Sequence, residues 1–493
     1  MAAPLPNPIL LTALVLAALG LSGCGKQNEG VTRVAAIGEA PRLVETVTAP
    51  LSPGEALLRE NMAQGLVRFD QRGQVVPGLA ERWNVSDDGL SYIFRIASTE
   101  WPDGSKITAH QVARLLKRQL APRSRNSLKD ALGAVDDIVA MTDRVIEIRL
   151  IAPRPNLLPL LAQPEFAIVR NGHGTGPFSF IRTGGPGGEV RLASEVVSIN
   201  DEITRREELL LRGNAARDAV RSFASRGVDL VLGGTFSDLP YAQATRPRRN
   251  LLRFDPASGL FGLVPVARGG PLDERDVRRL LNRAIDREAL VRALNVPGLA
   301  ARATVLEPGL DGMPAPVQPA WFSIPMAERR PQLIAEANRL FPDGEKPTIR
   351  IAAPQGPGAD RLIRRLGADW GALGFKVERS ATPRTADLRL IDLVAPSPSS
   401  AWFLREFRCD AVPVCDDEAD DLLAAAREAL VPAQRYALLA QAAGRIDDGH
   451  LFFALAAPVR WSLVSDRVLG FAGNRYARHT LTDLEQRLGR GGS

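Results

Sequence analysis

Residues 61–112 read NMAQGLVRFDQRGQVVPGLAERWNVSDDGLSYIFRIASTEWPDGSKITAHQV. Ser91 to Ile96 alternates, with Tyr92, Phe94 and Ile96 on one face. A half-buried strand has that period. Asp70 to Gly73, Asp88-Gly89 and Asp103-Gly104 punctuate the stretch, and glycine there supplies the positive φ of a tight turn. Thr108-Ala109-His110-Gln111 has the form of a capping box. Val112, Leu115, Leu116 and Leu120 then fall on one face of a helix that Pro122 ends.

Outward from this stretch the same two periods recur. Arg144 to Leu150 alternates, and Val34 to Gly38 is a short apolar strand. A helix over 215–226 leads into a buried strand over 228–234. Asp273 to Leu294 reads as one helix, with Val277, Leu280, Leu281, Ala284, Ile285 and Leu290 as its buried stripe. A β-α-β unit follows, with strands at Thr348–Ala353 and Phe375–Glu378 around a helix over Ala359–Leu373. Another strand spans Asp387–Val394. Helices over about 416–430 and 433–447 precede an apolar strand at Leu451–Ala456. Strands alternating with helices predict an α/β protein.

Composition excludes several classes of function. The chain has 493 residues, too many for one core, so two or three lobes are expected. Its 62 basic and 56 acidic residues leave a net charge of +6, without a basic run, so no nucleic-acid partner is expected. The four histidines are never two or four apart, which removes the common zinc motifs. No G-x-S-x-G elbow is present, and no enzyme is expected.

Residues 1–23 carry no Asp, Glu, Lys or Arg, and Ile9 to Leu21 is almost wholly apolar. The run ends in Leu21-Ser22-Gly23-Cys24, which resembles the lipobox of bacterial lipoproteins. That resemblance implies a signal peptide over 1–23 and lipidation of Cys24. Residues 24–29 would then be a tether, placing the protein on the periplasmic or outer face of a membrane. Several acyl chains anchor firmly where one does so only marginally. Gly25, not Asp, follows the cysteine, so retention at the inner membrane is not enforced. Cys409 and Cys415 remain, close enough for a disulfide in that compartment, or else two buried thiols.

Several motifs, in order and spacing, resemble the family 5 extracellular solute-binding proteins, the large peptide- and nickel-type receptors of ABC importers. They are Gly65-Leu66, Asp70 to Gly73, Pro77 to Trp83, Asp88-Gly89, Trp101 to Gly104 and Thr108 to Val112. Gly174 to Phe178 resembles a G-T-G-P-Y/F turn, and Asp276 to Arg287 resembles the family's V-R to A-I-D-R helix. Arg460 to Val464 and Gly470-Phe471 resemble its C-terminal end.

The resemblance implies a two-lobed periplasmic-binding-protein fold of type II, similar to the large cluster C proteins, with an extra subdomain in the N-terminal lobe. Lobe I is expected over 30–260, with the subdomain over about 60–170, lobe II over 261–454, and a return to lobe I over 455–493. It also implies a monomer that traps a peptide or peptide-like solute between the lobes and delivers it to an ABC permease and ATPase, without a cofactor. A non-transport lipoprotein on the same fold, a sensor or structural protein, is the alternative. No ligand cluster supports nickel or haem.

Peptide receptors of the family often carry a D-Y-P-D-P-like segment before Phe-Leu, whose first Asp grips the ligand's ammonium group. The matching segment here is Ala395 to Leu404, with Pro396 and Ser399 at the aspartate positions. Asp392 is the substitute carboxylate to consider. Candidate ligand contacts are Glu39, Asn61, Gly65, Asp392, Pro396, Ser397 and Trp402, with Arg405 facing an anion or solvent.

Overall fold

The computed structural model describes residues 30–185, 188–197, 204–248, 250–482 and 484–486. The expected signal segment and tether, with Cys24, lie outside the described residues. Three sheets organise the chain. The largest has seven strands, in the order Leu252–Phe254, Arg460–Val464, Leu230–Thr235, Val31–Ile37, Thr204–Asn214, Glu189–Val197 and Ser179–Gly185. Val31–Ile37 runs parallel to both its neighbours and is buried at Val34, Ala35 and Ala36. The second sheet has five strands, in the order Lys376–Arg379, Thr348–Ala352, Leu388–Val394, Gly259–Pro265 and Phe453–Ala456. The chain passes from the first sheet to the second between Phe254 and Gly259, and returns between Ala456 and Arg460.

The third sheet, Ala80–Val85, Ser91–Ile96, Val145–Leu150 and Val135–Thr142, belongs to a subdomain of the first lobe. Its alternation sets its packing. Phe94 lies opposite Ile146 and Tyr92 opposite Ile148, and all four are buried. Helix Ala109–Leu120 starts on the expected reciprocal cap, with Gln111 N donating to Thr108 Oγ1 at 3.3 Å and Thr108 N to Gln111 Oε1 at 3.5 Å. Gln111 Oε1 also accepts from the indole of buried Trp101 at 3.0 Å. Arg170 stacks over that indole and pairs with Asp103. The signature residues at 101–111 thus build the subdomain.

Two glycines are fixed by close approach. A Cβ on Gly176 would stand 2.4 Å from the Met62 carbonyl carbon, so the turn at 174–178 can lie directly on the end of the helix Pro53–Met62. A Cβ on Gly234 would stand 2.2 Å from the ring of Trp461, which fills that space.

The structure departs from the sequence reading over 273–294. Two helices stand there, Arg275–Arg283 and Arg287–Leu294. Asp286 caps the second, accepting from Ala289 N at 3.0 Å, and buried Arg287 donates to Asn282 O and to Ala454 O across the break. A polar cap inside the apolar stripe outcompetes continuation of the first helix.

Candidate functional site

A cavity of about 130 Å³ lies between the subdomain and the second lobe. Two segments of the first lobe form one wall, residues 130–135 and 154–160. The opposite wall comes from Asp311, the 397–408 segment and the two helices Asp417–Glu428 and Pro432–Asp448. Small-molecule sites usually enclose ~300–1,000 Å³. This space is smaller, and fits one chemical group of a solute.

Hydrogen bonds join the two walls. Gln163 Nε2 donates to Pro396 O at 2.7 Å, with both residues buried. Arg154 Nη2 donates to Arg427 O at 2.6 Å. Asn156 Nδ2 donates to Asp311 Oδ1 and, at 3.4 Å, to Pro398 O. Asp311 organises the far wall. Its carboxylate has no exposed surface, it accepts from Ser400 N at 2.6 Å, and it stands 3.8 Å from Arg435 Nη1.

The lining is cationic. Arg154, Arg405, Arg408, Arg427 and Arg435 face it against only Asp130 and Asp311. Burial, together with the like charges of Arg435 and Arg427, lowers Arg154 to about 10, and Asp311 opposes the shift. Burial also depresses Arg405, although Glu406 opposes the shift. Arg405 Nη1 and Ser397 Oγ are buried without a hydrogen-bond partner among the described residues. A buried polar atom left in that state is costly unless something else meets it.

The sequence candidates divide into two groups. Ser397 and Trp402 line the cavity, as does Arg405, while the carbonyl of Pro396 ties the two walls. The others stand elsewhere. Asn61 is fully buried and structural: Nδ2 donates to Leu57 O at 2.7 Å, and Oδ1 accepts from Leu481 N at 2.8 Å. Gly65 packs so closely that a Cβ would be 2.8 Å from Leu161 O. Glu39 is exposed, just past the first strand, and does not line the cavity. Exposed His173 forms an isolated backbone bridge with Arg170.

Asp392 is not available to a ligand ammonium. Its Oδ1 takes Arg460 Nη1 at 2.7 Å, and its carbonyl takes Arg460 Nη2 at 2.9 Å. Arg460 belongs to the seven-stranded sheet and Asp392 to the five-stranded one, so the pair ties the lobes where the chain crosses. Cys409 and Cys415 are joined by a disulfide.

Sequence reasoning did not find Arg154, Gln163, Asp311, Arg427 or Arg435. Only Arg435 left a local signal. It falls in register with Leu439, Ala442 and Ile446, so a cation occupies an otherwise apolar helical stripe.

The sequence pattern of the bacterial extracellular solute-binding proteins, family 5 Middle, matches residues 74–393. The chain is 25% identical over 485 residues to the probable di/tripeptide-binding protein 5 of Pseudomonas aeruginosa, covering 84% of this chain and 88% of that protein. It is 21% identical over 338 residues to the oligopeptide-binding protein OppA of Bacillus subtilis, where the match spans 59% of this chain and 62% of that one. The murein tripeptide binding protein MppA of Escherichia coli has the same fold. Its TM-score is 0.79 at 15% identity, over 93% of this chain and 99% of that chain. The match over 74–393, with the two lobes and the cavity between them, establishes that the chain belongs to the bacterial extracellular solute-binding proteins, family 5.

Proposed function

We propose that this protein is the substrate-binding component of an ABC importer. It captures a peptide or peptide-like solute between its lobes and presents the closed form to a permease. The observation that carries this reading is the cavity itself, walled by two lobes and bridged by Gln163–Pro396, Arg154–Arg427 and Asn156–Asp311. Those bonds must break for a solute to enter, and two crossovers near 255–259 and 456–460 leave a hinge on which the lobes can part. Lobe I is taken as 30–260 with its subdomain over 60–170, lobe II as 261–454, and 455–493 as the return. The protein acts outside the cytoplasm as a monomer held to a membrane through Cys24, and it breaks no bond in its solute.

Native mass spectrometry of the soluble form beginning at Gly25 tests this. The protein is purified without denaturation and then denatured to release cargo. A set of short peptides or one peptide-like solute is the expected release. An empty protein whose melting temperature no peptide mixture shifts contradicts the reading and favours a non-transport lipoprotein.

A further inference from the structure

Among the arginines on the cavity wall, three have a carboxylate nearby: Arg405 with Glu406, Arg408 with Asp410, and Arg435 with Asp311. Arg154 and Arg427 have no carboxylate within ion-pair distance among the described residues. They come from opposite lobes, and Arg154 donates to the main chain of Arg427 itself. Closing the lobes therefore brings together, at one cavity, two cations that lack a direct ion-pair partner, with Asp311 the carboxylate that acts on Arg154 and Asp410 the one that Arg427 acts on from further away.

Two carboxylates line the cavity, and Asp130, the exposed one, acts on Arg405 and Arg408. Asp311 is occupied by Asn156 and Ser400, and proline stands at position 396 where the family's ammonium-gripping aspartate would be. Ser397 Oγ and Arg405 Nη1 supply hydrogen-bonding capacity that no described residue meets. A planar guanidinium offers paired donors that match a carboxylate. The space of about 130 Å³ suits a carboxylate with a short stem, one end of a peptide-like solute.

We infer that this cavity is an acid pocket: it takes a carboxylate of the solute between Arg154 and Arg427, and that carboxylate, not a solute ammonium, holds the lobes closed. The inference rests on the proposed receptor role. It makes the solute's acid group the recognised end and leaves its amine dispensable. It also makes closure depend on the ligand, because an anion removes the repulsion between the two arginines.

The test measures binding of di- and tripeptide pools to cargo-stripped soluble protein. The pools are offered in three forms: unmodified, N-acetylated with a free carboxylate, and C-amidated with a free ammonium. Wild type is compared with Arg154→Gln, Arg427→Gln and Arg154→Lys, each first shown to melt cooperatively. The unmodified and N-acetylated pools are expected to be retained and the amidated pool to be lost. Each glutamine variant should weaken retention roughly tenfold or more, with partial rescue by lysine. Retention of the amidated pool, or unchanged binding in both glutamine variants, overturns the acid pocket while leaving the receptor role standing. Retention of no pool in any form overturns the peptide-like reading and this inference with it.

Discussion

Asp392 and Arg460 show at the residue scale how burial decides a role. Both side chains are largely buried, and each is the other's charge partner. Burial pushes the Asp392 carboxyl up and Arg460 pulls it back, with the net shift upward. Removing one partner of such a pair strands the other charge, at a cost of about 3–5 kcal/mol, whereas removing both costs far less. Arg460→Met should therefore destabilise the protein by about 3 kcal/mol in chemical denaturation, and Asp392→Asn with Arg460→Met should recover most of it. Equal losses in the single and double variants would refute the tie.

Asp447 makes a second prediction at this scale. Burial raises its carboxyl from the ordinary 3.8 to about 7, although Val305 N donates to it at 2.8 Å. A folded value above the unfolded one favours the protonated form in the fold. Its stabilising contribution is thus full below the unfolded value and is lost as pH rises through the folded one. Asp447→Asn keeps an acceptor for Val305 and cannot ionise. It should match wild type near pH 4 and exceed it in melting temperature near pH 8. Glu60, also raised to about 7 by burial, leaves the variant with part of the slope. A variant less stable than wild type at pH 8 would contradict the argument. None of these roles could be read along the chain, because a pairing such as Asp392 with Arg460 or Arg154 with Arg427 is made only when the lobes fold against each other.

Elements were legible where one local rule acted alone. The capping box at Thr108 and the alternation at 91–96 appear as expected, because each involves neighbours within a few residues. The strands Ser179–Gly185, Glu189–Val197 and Thr204–Asn214 left no such signal. Charged residues interrupt them, and Thr204–Asn214 becomes a strand by pairing with Val31–Ile37, far away in sequence. The break at 284–286 was masked by an apolar stripe that continues through two helices. The Cys409–Cys415 bridge closes a short loop between Ser400–Arg405 and Asp417–Glu428, both of which help wall the cavity. A loop this small gives about 2 kcal/mol. Reduction should lower the melting temperature and weaken solute retention together. Unchanged behaviour under reductant would show that the bridge supports neither the fold nor the cavity wall.

The two largest sheets are joined at paired crossovers, with a third sheet on a subdomain that is tied to the second lobe by the polar contacts around the cavity. The hinge side, by contrast, carries a continuous apolar core in which Phe236, Phe261 and Trp461 are fully buried. That asymmetry fits rotation about the crossovers with separation at the cavity. Family membership and the two lobes were legible because turn glycines, tryptophans and caps recur at fixed spacing. The cavity was only half legible. Ser397 and Trp402 lie in one contiguous segment, while the other wall is assembled from residues more than two hundred positions away.

Capture by closure changes the shape of the molecule, and small-angle X-ray scattering reads that change. The soluble form is measured once as purified with its native cargo and once after unfolding, dialysis and refolding without it. The radius of gyration is expected to be smaller with cargo, and the smaller value to be regained when the released cargo is added back. Identical scattering from loaded and stripped protein, with cargo demonstrably bound in one and absent from the other, would contradict capture by closure.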